Sequence, residues 1–457
     1  MAESLGISDD LVGRLKCSAI DAWMHDQGYM RRDGHYLKFD SMSESRVTRP
    51  APGGQGGGVW TIDGELADTA AFEECFAQIR ETIDSLVAPF RTLPDPDAIH
   101  SLTGECRQVS SALSGTATAT DGFVAGAGPM TASLERIESN LDNMAGTFIA
   151  SYKSRFLGQL RAVVGGFCAI SWIRCTALVA QESLWTEART HLDAVLAMTC
   201  DAMARVATDD GIEWQDVLIV VGAVARGIKA FVTGGLSTAM DLAGVAVTLL
   251  SSAASSGANE QKTSTPGSYD AVIEALRLQL DLLATRIRTE EQLIEDNLRE
   301  NLAIIERDRA YFDLSQAPVY DLEDTVILEP ELLSEVYTIY MPEVAQSLDV
   351  VAAAVVRTTT AQVLTRHPSL GIGPEGTSQA FWAMNQVLYG LVKDLAWEVE
   401  KGAENLRLAV AAMQEQDALI AERLRRIARR IDEGSPYAPG GGTTDTDPPS
   451  YLTPHFS

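Results

Sequence analysis

The sequence predicts an all-α protein in which long antiparallel helical hairpins pack as elongated bundles, with Gly-rich linkers and a disordered C-terminal tail. Two observations predict this class. Aromatic residues make up only 7% of the chain while alanine and leucine are abundant, which favours helix over strand. Apolar residues also recur at steps of three and four over long segments, which is the spacing of one helix face.

The clearest of these stripes lies in residues 395–431. Charged residues occupy the opposite face, and Asp417 interrupts the stripe itself. A long helix with one apolar face needs a partner, either from this chain or from another. The members of the stripe are Leu395, Val399, Gly402, Leu406, Val410, Met413, Ile420, Leu424, Ile427 and Ile431.

The composition is that of a globular protein with a strongly acidic surface. A chain of 457 residues with 46% hydrophobic content is long enough for two to four domains and a sizeable core. The formal net charge of −27 argues against nucleic acid as a partner, because phosphate binding needs a basic stripe. It also argues against simple electrostatic docking on an anionic membrane.

The residue types that carry catalysis or bind metals are scattered. The six cysteines form no C-x-x-C pair, and Cys168 and Cys175 are spaced to share the core face of a helix. The six histidines have no zinc or di-iron spacing. We therefore predict no enzyme activity, no metal and no other cofactor. The N-terminus lacks the basic and apolar regions of a conventional signal peptide.

Residues 1–58 are predicted to form an N-terminal segment and a Gly-rich linker. Asp9 or Asp10 could cap a short helix that runs to Met24, and residues 35–42 form a short strand or an extended segment. Residues 49–58 have the composition of a flexible linker. A phosphate-binding loop is rejected there, since no Lys-Ser/Thr pair follows the glycines.

Residues 59–210 form the first predicted helical module. Helices are expected at 66–87 and 97–113, followed by two long helices within 130–207. The apolar stripe of the first long helix passes through residue 144 without a pause. Periodicity therefore predicts the break between the two at Gly165-Gly166.

Residues 211–267 are a different kind of segment. Residues 217–255 are apolar nearly all round, although Arg226, Lys229 and Asp241 interrupt them. Helices buried in a large bundle are the favoured interpretation, and a membrane-inserting hairpin is the alternative. Glycines that would allow close helix approach are Gly222, Gly227, Gly234, Gly235 and Gly244.

Residues 268–432 form the second predicted helical module, and residues 433–457 are predicted to be disordered. Ser268 is placed to cap a long helix that carries a Glu295–Arg299 pair. A helix over 331–365 is expected to break at Pro342. The spacing Gly371-x-Gly373-x-x-Gly376 matches a dinucleotide fingerprint, but we interpret it as a loop because no strand precedes it.

The pair of helices within 130–207 resembles the helical-hairpin proteins of actinobacterial type VII secretion, the Trp-x-Gly family. In that family a Trp-x-Gly turn joins two helices and aromatic residues follow the glycine. The nearest match here is Met144-Ala145-Gly146, followed by Phe148, Tyr152 and Phe156, with Met in place of Trp. The resemblance implies a hairpin turn at this position.

The C-terminal helix is similar to the family in a second way. Residues 374–424 look like a family helix that leads to a Tyr-x-x-x-Asp/Glu export signal. Met413 and Asp417 fall where that signal would lie, with Met for Tyr. The intact matches, Tyr320-x-x-x-Asp324 and Tyr36-x-x-x-Asp40, do not lie at the end of a helical hairpin.

The resemblance implies a non-enzymatic helical protein associated with type VII-like secretion, as a substrate, scaffold or partner-binding protein. Its expected partners are helical proteins, including copies of itself; nucleic acid is excluded, and a membrane is less favoured. We expect it in the cytoplasm before export, and then secreted or associated with the cell envelope. The alternative is a membrane-active or pore-forming protein that inserts residues 217–255.

Overall fold

A computed structural model describes residues 8–40, 43–67, 69–113, 129–144, 146–208, 267–312, 314 and 329–432. These residues are mostly helical, as predicted. The prediction of an all-α chain is wrong, however, because residues 30–66 contain a five-stranded antiparallel sheet.

The helices begin and end near most of the predicted boundaries. They are α1 (Asp9–Asp26), α2 (Thr69–Val87), α3 (Pro96–Leu113), α4 (Pro129–Asp142), α5 (Thr147–Ser151), α6 (Gly158–Val206), α7 (Tyr269–Arg307), α8 (Pro330–Glu335), α9 (Met341–Arg357) and α10 (Ser378–Asp432). Two π-helical segments, π1 (Tyr152–Leu157) and π2 (Val336–Tyr340), lie directly before α6 and α9.

The sheet is a meander between α1 and α2. Its strands are β1 (Met30–Arg32), β2 (His35–Asp40), β3 (Ser43–Thr48), β4 (Trp60–Ile62) and β5 (Glu65–Leu66), paired in chain order. Tyr36 and Trp60 flank Val47 on the inner face and contact Phe76 and Phe72 of α2. Three of the strands have two or three residues, which is too short for an alternating pattern to predict them.

A buried carboxylate, Asp21 of α1, fastens the sheet. It accepts hydrogen bonds from the Tyr36 hydroxyl at 2.6 Å and from Arg31 at 3.0 Å. Arg49, which follows β3, donates to both oxygens of Asp21, at 2.7 and 2.6 Å. A buried carboxylate of this kind is stable only when several donors satisfy it.

The Gly-rich run at 49–58 was predicted to be a flexible linker, and this is wrong. Arg80 of α2 donates from Nε to the carbonyl oxygen of Gly54 at 2.6 Å. A Cβ atom on Gly13 of α1 would lie 3.0 Å from the oxygen of Gly53. The run is thus a loop packed between α1 and α2, and its glycines permit the close approach.

Helix α6 is the centre of the molecule. It continues unbroken through residues 165–166, so the break predicted there is wrong. Helices α1, α3, α7 and α10 pack around it. The hydrogen bond Ser110–Ser171 (2.7 Å) and the His100–Glu182 pair (3.0 Å) show that α3 runs antiparallel to it. Packing on all sides outweighs the low helix propensity of a glycine pair.

Helices α9 and α10 also run antiparallel, joined by residues 358–377. Asp349 pairs with Lys393 at 2.6 Å, and the Asn385 side chain donates to the Thr358 carbonyl at 2.6 Å. Pro342 lies in the first turn of α9, directly after π2, and the chain is helical on both sides of it, so the break predicted there is absent. Helix α10 is continuous past Gly402.

The sequence predicted the start of α7 correctly. The Ser268 side chain accepts a hydrogen bond from the Ala271 backbone N–H at 3.4 Å, as expected of an N-cap. The predicted Glu295–Arg299 pair is present at 2.6 Å.

The other charges of α7 are not all solvated, because Glu291 is fully buried and pairs with fully buried Arg366 of the α9–α10 loop. Burial raises the pKa of Glu291 and lowers that of Arg366, which shows that desolvation outweighs their attraction.

The glycines of the G-x-G-x-x-G spacing enclose this ion pair. Gly371 (φ 61°) and Gly376 (φ 54°) both have left-handed backbones. A Cβ atom on Gly371 would overlap the Glu291 carboxylate, and one on Gly376 would overlap the Arg366 guanidinium. The rejection of a dinucleotide site at this loop agrees with the structure, since the glycines serve an internal ion pair.

We predict that Gly371→Ala lowers the free energy of unfolding by about 3 kcal/mol or more, because it strains the left-handed backbone and displaces a buried charge. Gly165→Ala is the control, since nothing lies within 4 Å of its Cβ position in α6. The free energy of unfolding of that variant should rise by about 1 kcal/mol, because alanine has a higher helix propensity than glycine. Urea denaturation measures both, and equal stability of the two variants would contradict the role of Gly371.

Candidate interaction site

The chain reverses direction between α4 and α5. Glu138 of α4 pairs with Arg161 at 2.6 Å, and Asp142 at the end of α4 pairs with Lys153. Since the partners run in opposite order along the two segments, the turn lies at residues 143–146. The family resemblance predicted the turn at this position. The apolar periodicity predicted it at residues 165–166 instead.

The backbone explains why the turn forms here. Gly146 has φ 133°, a conformation that L side chains rarely adopt, so glycine is the residue that allows it. Met144 is buried, with 6% of its surface exposed. The position that is Trp in the family is therefore filled by an apolar side chain packed into the core.

Two aromatic side chains after the turn form a buried contact. Tyr152 and Phe156 of π1 stack with their ring centroids 5.0 Å apart. The Tyr152 hydroxyl donates to the sulfur of Met341 at 3.0 Å, and burial raises the pKa of this hydroxyl. The side chain of Phe148 lies outside the described residues.

This aromatic contact packs directly against α10. A Cβ atom on Gly402 would lie 3.0 Å from Cζ of Phe156 and 3.1 Å from Cε of Met341. The glycine therefore lets α10 approach both side chains. The turn and the C-terminal helix, which the sequence treats as separate modules, meet here.

Both π-helical segments lie at this same junction. Tyr152 begins π1, and Met341 follows π2 directly. A π-helical turn adds a residue to the helix and re-aims its side chains, and such turns are frequent at functional sites. The periodic pattern of the sequence did not predict either segment.

Helix α10 leaves the packed body just beyond this junction. Leu406 and Val410 are each 3% exposed, whereas Leu419 is 63% and Leu424 60% exposed. We call residues 411–432 the distal arm. Its backbone is helical to its end, and it carries apolar side chains with no cover among the described residues.

The candidate export signal lies on the distal arm. The backbones of Met413 and Asp417 are helical, one to two turns past Val410. Their side chains lie outside the described residues, but Gln414 and Glu415 between them are exposed. The signal position is thus on the part of α10 that projects from the body.

The other candidates lie either elsewhere in the fold or outside the described residues. Tyr36 lies on β2, where it is buried and its hydroxyl donates a hydrogen bond to Asp21. This tyrosine therefore stabilises the fold and is not accessible as an export signal. The 320–324 match and the 433–457 tail lie outside the described residues. So does the possible membrane segment with Gly222, Gly227, Gly234, Gly235 and Gly244.

A buried polar cluster surrounds Arg174 of α6. This fully buried guanidinium donates from Nε to Asn385 Oδ1 at 2.5 Å and from Nη2 to the Thr358 hydroxyl. Its carbon lies 5.4 Å from the centre of the Phe381 ring. These contacts tie α6 to both ends of the α9–α10 loop.

Two cysteines adjoin this cluster. The Cys175 thiol and the Arg174 guanidinium lower the pKa of the Cys106 thiol to about 7, against the effect of burial. Burial raises the pKa of Cys175. Cys168 and Cys175 both lie in the core on α6, as their spacing predicted. Within the described residues, no group of three or more His, Cys, Asp or Glu is placed to hold a metal ion.

Two described segments are long and apolar enough to cross a membrane by composition, Ile149–Val206 and Glu331–Arg357. In the first, 78% of the apolar window is buried inside the protein, as in the core helix of a packed bundle. In the second, 39% is buried.

We predict that Gly402→Val lowers the free energy of unfolding by about 1–3 kcal/mol, because the added carbons meet Phe156 and Met341. Gly390→Val on the same helix is the matched control, since nothing lies within 4 Å of its Cβ position. Adding Phe156→Leu to Gly402→Val should recover part of the loss. Thermal and urea unfolding measure these effects, and equal stability of the two glycine variants would contradict the close approach.

Comparison with models of known protein families, with curated proteins and with solved structures finds no match.

Proposed function

We propose that this chain is a non-enzymatic helical protein associated with type VII-like secretion, as a substrate, scaffold or partner-binding protein. We further propose that its helical part consists of antiparallel hairpins packed into an elongated bundle. One hairpin is α4 with the π1–α6 helix, and the other is α9 with α10. The sheet with α1 and α2 covers the far end of α6.

The observation that carries the proposal is the distal arm. An apolar stripe that is buried up to Val410 continues into a helix on which the described side chains of Leu419 and Leu424 are exposed. Such a helix suits recognition in a groove of another helical protein, where residues at steps of three and four act as anchors. The candidate signal, Met413 and Asp417, lies on this accessible part.

The turn at residues 143–146 supports the same family resemblance. It lies at the Met-x-Gly position, and the aromatic side chains after it pack on the helix that carries the candidate signal. A body held together in this way would present the arm in a fixed direction. The described charged groups of the core are used internally, as in the Glu291–Arg366 pair and the Arg174 cluster.

We predict that Asp417→Ala reduces the amount of protein in the culture supernatant to that of a strain lacking the secretion apparatus. The reason is that the signal needs a carboxylate at this helical position. Glu415→Ala is the matched control, because it removes an exposed carboxylate from the same arm. Circular dichroism of both purified variants shows whether the fold is kept. Export of Asp417→Ala at the level of the parent protein would sink the signal hypothesis.

A further inference from the structure

The tip of the distal arm carries a charge opposite to that of the whole chain. Residues 419–431 contain five arginines and one glutamate, whereas the chain has a formal net charge of −27. Arg425 and Arg426 are 70% and 72% exposed, and each lies within 4 Å of the only carboxylate of the tip, Glu422. The arginines of the tip are Arg423, Arg425, Arg426, Arg429 and Arg430.

The acidic body does not cancel this local charge. The arm extends 22 residues past Val410. At 1.5 Å per residue its end lies about 33 Å from the packed body. Because the Debye length is about 8 Å at physiological ionic strength, the tip is electrostatically separate from most of the carboxylates. The net charge of the whole chain therefore does not oppose docking of the tip on an anionic surface.

The tip is also amphipathic. At 100° per residue, Ile420, Leu424, Ile427 and Ile431 lie on one side of the helix, with arginines beside and opposite them. Leu424, the member of this apolar side whose side chain is described, is 60% exposed. A basic helix with one apolar face is the pattern of segments that lie in the plane of a membrane interface.

We propose that residues 419–431 bind the surface of a bilayer that contains anionic phospholipids. The guanidinium groups would pair with lipid phosphates, and the apolar side chains would enter the boundary between headgroups and acyl chains. This goes beyond the proposed function, because it gives the arm a lipid partner and does not depend on export. Nucleic acid or an acidic polypeptide would bind the arginines and leave the apolar face in water. A second copy in parallel would bring like-charged tips together.

The test uses the full chain and flotation with vesicles. We expect binding to phosphatidylcholine vesicles that contain phosphatidylglycerol, little binding to phosphatidylcholine alone, and weaker binding at high salt. The triple variant Arg423→Gln, Arg425→Gln, Arg426→Gln should lower the partition coefficient on the order of a hundredfold, since each arginine near an anionic surface contributes about fivefold. Leu424→Gln keeps the charge and should also weaken binding.

The matched control is Arg14→Gln, Arg277→Gln, Arg309→Gln, which removes the same charge from exposed arginines outside the arm. This control should bind like the parent chain. Equal loss in both triple variants, equal binding to both kinds of vesicle, or no binding to either would overturn the proposal. Binding of the full chain to a DNA duplex but not to vesicles would also overturn it. A dimer of the parent chain in solution that becomes a monomer in the tip triple variant would overturn it as well. Circular dichroism confirms that each variant keeps its helix content.

Discussion

The burial of residues 163–181 of α6 on all sides is the constraint on which the rest of the structure depends. A helix of 49 residues with apolar side chains around most of its circumference must be covered by other elements, and α1, α3, α7 and α10 cover it. Its one fully buried guanidinium, that of Arg174, needs hydrogen-bond acceptors at defined positions, whereas the apolar packing around α6 imposes no such directions. Because the group needs acceptors in the core, it fixes Asn385 and Thr358, and with them the two ends of the α9–α10 loop. The loop then closes over the Glu291–Arg366 pair. Arg174 and Arg366 thus link the α9–α10 loop and α10 to the long helices α6 and α7.

Much of the helical layout could be predicted from the sequence, since periodicity and caps are local signals. The Ser268 cap and the Glu295–Arg299 pair are correct in atomic detail. The errors have physical reasons. The sheet as a whole was missed, although β2 falls in the segment 35–42 that was predicted as a strand or extended. Its shortest strands have two or three residues, and its stabilising carboxylate, Asp21, lies in a preceding helix. Glu291 looked solvated because its partner is 75 residues away in the chain. A glycine pair within α6 looked like a break because sequence alone does not show the packing that surrounds it.

The position of the turn after α4 could be predicted, but its contacts could not. Family resemblance placed the turn at Met144 to Gly146, where periodicity saw a continuous stripe, and the geometry agrees with the resemblance at this point. No pattern indicated that the aromatic pair after the turn would pack against Gly402. The only sequence feature associated with this close approach between helices is the glycine itself. Arg174 did leave a signal: it is the single charge within a long apolar run, which is the mark of a buried and partnered group.

The continuity of α10 has a consequence for the whole molecule. It runs for 55 residues, about 82 Å, without proline and without an interruption at Gly402. Its first half is clamped against α6 and α9, and its last part is free of the body, so it acts as a rigid lever. Any surface or protein that holds the free end sets the tilt of the entire body.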